Sequence, residues 1–136
     1  MSEIIDTFDL DLDAEAIMKQ LRIAPGSADA QGFKEYFAKA SALAKPKAVF
    51  KEAFVEERTR DTVTIDGISF TSPVLRETLA DVERVFPFVV TCGRELEGLV
   101  APADDILAAF WCDTLKAAVL RTAMRQFNDG IAGRFR

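Results

Sequence analysis

The spacing of apolar and polar positions changes along the chain, and each change marks an element. From Ile4 to Leu12 apolar residues are scattered among acids, with Ile5, Phe8, Leu10 and Leu12 at near-alternate positions, which predicts an opening strand. Asp11 or Asp13 then stands where a helix cap belongs, and Ile17, Met18 and Leu21 form one side of a helix running to about Arg22. Ala24-Pro25-Gly26-Ser27 reads as a loop. Phe33, Tyr36, Phe37, Ala40 and Leu43 keep helical spacing after Ser27 or Asp29, and Lys45-Pro46 ends that helix because the residue before proline is forced out of the helical region.

Beyond this point the period shortens. Lys47–Glu57 is extended in character, Thr62–Ile65 is β-branched and alternating, and Ile68–Thr71 continues past Asp66-Gly67. Asp66-Gly67 is a strong two-residue hairpin signal, so these runs predict an antiparallel meander. Ser72-Pro73 opens a short helix, Val74–Asp81, with serine as cap and proline at the first position. Val85–Thr91 is almost wholly apolar and predicts a central strand, with Pro87 implying a bulge or an unpaired edge. Cys92-Gly93 turns the chain into a helix from Arg94 to about Val100, and Asp104 opens a long helix to about Asn128.

That last helix is apolar around much of its girth. At about 100° per residue, Ile106, Phe110, Ala117, Leu120 and Met124 fall on one stripe, while Leu107, Trp111, Leu115 and Val119 extend the cover. Asp113 sits in the middle of the first stripe. A carboxylate buried there has to be paired, hydrogen-bonded or functional, and Lys116, three residues on, is within reach. Together the elements predict an α+β fold: an antiparallel meander sheet packed against several helices, with a long buried C-terminal helix, in a single domain over residues 1–136.

Composition narrows the chemistry. The chain has no histidine, which removes Ser-His-Asp and Cys-His catalysis and every histidine-ligated metal site. Its two cysteines, Cys92 and Cys112, are too few for a four-thiolate zinc site and form no paired motif. A formal charge of -5 without a basic cluster argues against nucleic-acid binding, since Glu52, Glu56 and Glu57 follow Lys45, Lys47 and Lys51 at once. No run approaches the roughly 18 apolar residues of a membrane span, and the acidic start does not resemble a secretory signal. A cytoplasmic protein with two free thiols is the expectation.

Two places then stand out as candidate ligand-binding residues. Thr91-Cys92-Gly93-Arg94-Glu95 lies where a strand feeds a helix, and unpaired N–H groups at such a start attract an anion or carboxylate. Gly93 allows close approach, and Cys92 at the positive helix end is expected to be acidified. The plainer alternative is a strand-to-helix turn with a buried thiol. Asp113 either pairs inside the fold or holds a cationic or hydrogen-bond-donating ligand group. The aromatic residues Phe50, Phe54, Phe70, Phe86, Phe88, Phe110 and Trp111 have core spacing. No catalytic residue and no metal site is expected. A thiol enzyme built on Cys92 would need a base, and none near it in sequence can be histidine.

Several short motifs carry a resemblance. Lys45-Pro46-Lys47-Ala48-Val49-Phe50-Lys51, Ile65-Asp66-Gly67-Ile68, Phe70-Thr71-Ser72, and Val85-Phe86-Pro87-Phe88 leading into Thr91-Cys92-Gly93-Arg94-Glu95-Leu96-Glu97 resemble stand-alone proteins of the vitamin B12-dependent methionine synthase activation-domain family. Asp105–Phe110, Trp111 and Asp113–Lys116 fit the same pattern, and the similarity runs from about Leu12 to Asn128. It implies an accessory module that binds S-adenosylmethionine and serves reductive remethylation of a corrinoid methyltransferase. Cobalamin would sit only on that partner, a methyltransferase or a methionine synthase lacking its own activation domain, and an electron donor would complete the system. The family's S-adenosylmethionine signature, an Arg-x-x-x-Gly-Tyr motif or a Pro-Gly and Trp-Pro counterpart, has no match here, and the only tyrosine is Tyr36. The resemblance is therefore to the N-terminal part of such a protein. It implies that binding draws on a second segment, from a C-terminal extension or from another copy in a homodimer. The alternative is a non-catalytic interaction or scaffold protein that has lost the ligand.

Overall fold

The structure, a computed structural model, describes residues 2–135. In chain order the strands are β1 (Ser2–Ile5), β2 (Lys47–Lys51), β3 (Ala53–Arg58), β4 (Thr62–Ile65), β5 (Ile68–Thr71), β6 (Arg84–Val85) and β7 (Phe88–Thr91). The helices are α1 (Ala14–Gln20), α2 (Ala28–Leu43), α3 (Pro73–Thr78) and α4 (Ile106–Arg134), with a 3-10 helix at Arg94–Gly98. Helix accounts for 47% of the chain and strand for 22%, with antiparallel sheets, so the fold is α+β.

The chain divides into two compact units, Met1–Ile4 with Val49–Val89 and Ile5–Ala48 with Val90–Arg136. The division falls within β1, β2 and β7, which hydrogen-bond in the order β1-β2-β7.

The first unit is the predicted meander, a four-stranded sheet in the order β5-β4-β3-β6. Asp66 and Gly67 have φ of 52° and 78°, the left-handed pair that a two-residue hairpin turn demands. Gly67 N–H also donates to the Glu56 carboxylate. Across the hairpin Val63 pairs with Phe70 and Ile65 with Ile68, so these four side chains share one face of the sheet. Ala53, Val55, Val63 and Ile65 make a small core, against which Leu75, Leu79 and Val85 pack. Ser72 caps α3 by accepting from Leu75 N–H at 3.1 Å, with Pro73 in its first turn.

The second unit is helical. Ser27 caps α2 by accepting from Ala30 N–H, and Asp13 caps α1 through Ala16 N–H. Phe33 on α2 is fully buried and meets Trp111 of α4 edge-on at 5.9 Å between ring centres. Leu96, Leu99, Leu115 and Val119 complete the centre of this core. Full burial of side chains this size stabilises by about 1.5–3 kcal/mol each, which holds α4 in place.

Three expectations are corrected by this arrangement. The opening strand stops at Ile5 rather than reaching Leu12. The run Val85–Thr91 is not one central strand. Phe86-Pro87 splits it into β6, paired with β3, and β7, at the edge of the other sheet, because proline has no N–H for a ladder. The long helix is capped by Asp105, whose carboxylate accepts from Ala108 N–H at 3.0 Å, and it runs to Arg134. Its buried side carries Trp111, Cys112, Leu115, Val119, Ala123 and Phe127, whereas Ile106 and Phe110 on the expected stripe are 84% and 55% exposed.

Candidate functional site

The sequence-predicted residues fall in the second unit. Thr91, Cys92, Gly93 and Arg94 line a cleft of about 350 Å³ with Leu96, Glu97 and Lys116. The turn is held by one local bond and by two contacts to distant segments. Gly93 N–H donates to Thr91 Oγ1 at 3.3 Å, Lys45 N–H donates to the Cys92 carbonyl at 3.2 Å, and the Cys92 thiol lies 3.7 Å from the Lys116 carbonyl. Glu95 is exposed and its carboxylate lies against Gly93. Asp113 is exposed on α4 and is not among the residues lining this cleft.

The chemistry expected of these residues changes accordingly. The element after Gly93 is a five-residue 3-10 helix rather than the longer helix expected to about Val100. Such a short turn has little dipole, and one of the N–H groups at its start is already taken by Thr91. Burial pushes the Cys92 thiol up from its ordinary value, against the lowering pull of a backbone hydrogen bond and of Lys116. The expectation of an acidified thiol is thus reversed, because desolvation outweighs the helix end. Cys112, buried within the helical core, is likewise pushed up by burial. Asp113 needs no internal partner, since its stripe faces solvent, and it forms no ion pair with Lys116 among the described residues.

The more ligand-like cleft lies wholly within the first unit. It has about 350 Å³ and is walled by Ile65, Ile68, Phe70, Leu75, Leu79 and Val85, closed at one side by Phe86-Pro87-Phe88. Its cause is local. The apolar face of the hairpin is wider than α3, which is six residues long and spans roughly 9 Å. Ile68 therefore stays 58% exposed, and Phe70 and Phe88 each 41%, although Val63 and Ile65 beside them are buried. Lys51 and Asp66 stand at the rim and are joined by an ion pair. Arg84 lies 5.3 Å from the centre of the Phe86 ring and also pairs with Glu52 at 3.3 Å.

Core spacing did not separate these aromatics. Phe50 and Trp111 are core, as expected, but Phe54, Phe70, Phe88 and Phe110 are exposed. The signal that would have found the cleft was a hairpin with four apolar residues on one face followed by a helix too short to cover them. Small-molecule sites are mostly apolar, of about 300–1,000 Å³, with few polar groups fixing orientation, and this cleft has that character. Among the described residues no three His, Cys, Asp or Glu side chains gather as a metal site, and no helix is long and apolar enough to cross a membrane. No family model, curated protein or solved structure matches the chain.

Proposed function

We propose that this chain is a binding module that takes S-adenosylmethionine and serves a corrinoid methyltransferase, itself performing no bond chemistry. One observation carries the reading. Those segments resembling the methionine synthase activation-domain family that lie in the first unit supply most of its apolar cleft, through Lys51, Ile65-Asp66, Ile68, Phe70 and Val85-Phe86-Pro87-Phe88, while Thr91–Glu97, Asp105–Trp111 and Asp113–Lys116 lie in the second unit. Leu75 of α3 and Leu79 at its C-terminal cap complete the lining of the cleft.

The residues present fit the ligand. S-adenosylmethionine carries an α-carboxylate, an α-ammonium and a sulfonium, joined to a flat adenine ring through a ribose diol. Lys51 and Asp66 offer one charge for each end of the amino-acid group. Their own ion pair is exposed, so opening it costs about 0–1 kcal/mol. Aromatic faces attract cations through the ring quadrupole, and Phe70 and Phe88 supply them for the sulfonium. The sulfonium supplies the methyl group, and cobalamin on the partner receives it. The role of this chain is to bind, orient and exclude water. Two free thiols, Cys92 and Cys112, support a cytoplasmic setting.

Calorimetric titration with S-adenosylmethionine, and with S-adenosylhomocysteine alongside, tests this reading. Binding is expected for both, tighter for the sulfonium, and heat equal to buffer dilution at millimolar ligand would reject it. A second reading, an interaction protein without a ligand, is favoured by the exposed apolar residues Ile106 and Phe110 on α4.

A further inference from the structure

The exposed stripe of α4 has an internal symmetry. Reading outward from Ala117, the residues on its face lie four, seven and eleven positions away in both directions. Toward the N-terminus these are Asp113, Phe110 and Ile106, and toward the C-terminus Arg121, Met124 and Asn128. At about 100° per residue all of them fall within roughly 40° of Ala117 around the helix. Asp113, Ala117, Arg121 and Asn128 are exposed, Met124 is half-buried, and Ile106 and Phe110 stand out with Leu107 as large apolar side chains in solvent. The stripe is separate from the buried side of the helix, which is filled by the Phe33–Trp111 core.

We propose that two copies of this chain associate through this stripe as an antiparallel, two-fold helix pair centred on Ala117. The charge pattern selects a second copy as the occupant. A two-fold antiparallel pairing places residues equally far on either side of the centre opposite one another. It therefore sets Asp113 of one copy against Arg121 of the other, twice, and Phe110 against Met124, twice. Neither Asp113 nor Arg121 has an ion pair within its own chain among the described residues. A parallel pairing would instead stack Asp113 on Asp113 and Arg121 on Arg121, which is repulsive. The small side chain of Ala117 at the crossing lets the helix axes approach to about 8 Å, at the close end of ordinary helix packing. Self-complementarity of one patch is the requirement of a two-fold interface, and this stripe meets it in the placing of its charges and of its apolar side chains. Asn128 opposite Ile106 places a polar group at each rim, as association surfaces commonly do.

Sedimentation equilibrium of the wild-type chain, without ligand, tests the pairing. A monomer–dimer equilibrium is expected. Asp113→Arg and Arg121→Asp, both at exposed positions, should each weaken it about tenfold or more by setting like charges together. The double variant Asp113→Arg with Arg121→Asp restores opposite charges and should recover dimerisation to near the wild-type level. Circular dichroism of each variant should stay at the wild-type level. A wild-type chain that is monomeric up to about millimolar concentration, where even weak specific pairs form, overturns the proposal. So does a dimer that neither single reversal weakens, or one that the double reversal fails to recover.

Discussion

Gly93 passes so close to Lys45 that a Cβ on it would lie 2.2 Å from the Lys45 carbonyl oxygen. The same glycine has φ of 90° and ψ of 147°, a region closed to residues with a side chain. The close approach follows from the hydrogen bond between Lys45 N–H and the Cys92 carbonyl, which draws the two segments together. Gly93→Ala is therefore expected to destabilise the chain by at least about 2 kcal/mol, through strain and displacement of Lys45. Gly130→Ala is the matched control, because its Cβ meets open space within α4, and it should stabilise by about 0.5–1 kcal/mol. Urea unfolding midpoints of the two variants should move in opposite directions.

Arg58 ties the meander to the end of α3. Its Nε donates to the Leu79 carbonyl at 3.1 Å, and its guanidinium also donates to the Val82 carbonyl and lies 3.6 Å from Glu83. These carbonyls belong to the last turn and the loop that follows, where backbone acceptors lack helical partners. Arg58→Ala should cost about 1.5–3 kcal/mol, and Arg58→Lys should recover only part of it, since a point charge cannot reach both carbonyls. Amide exchange should speed up first in residues 75–83.

The thiols give a pH signature. Burial raises both Cys92 and Cys112, so the native chain keeps protons that the unfolded chain releases in the ordinary thiol range. Stability is then full below about pH 8 and falls as pH rises through that range toward the raised native values. Alkylation of Cys92 by iodoacetamide at pH 8 should be slower than that of free cysteine. A faster rate would mean a thiolate stabilised by something beyond Lys116.

Much of the fold could be read from residue pattern because local chemistry decided it. Ser27, Ser72 and Asp66-Gly67 each sit where a single hydrogen bond or a left-handed turn is required, and each performs that role. The stripe of α4 misled because the helix is apolar on two sides. Periodicity cannot tell which side meets Phe33 and which meets solvent, as that choice depends on α2, over 60 residues away in sequence. The same limit hid the cleft. Ile68 and Phe70 have the alternation of a covered strand, and only the six-residue length of α3 leaves them open. Thr91–Arg94 line one cleft, but the element they open proved to be a short turn.

The cleft makes its own prediction about residue roles. Phe88→Ala and Asp66→Asn change groups that are exposed, so stability should shift by no more than about 1 kcal/mol. Affinity for S-adenosylmethionine should fall about tenfold in each, whereas Cys92→Ala in the other unit should leave it unchanged. Parallel calorimetric titrations of the three variants check this.

The most direct test of the central claim is a map of amide chemical shifts during titration of the wild-type chain with S-adenosylmethionine. Saturable shifts concentrated at Lys51, Ile65–Phe70 and Phe86–Phe88 are predicted. Shifts confined to Thr91–Glu97, or none at millimolar ligand, would contradict it.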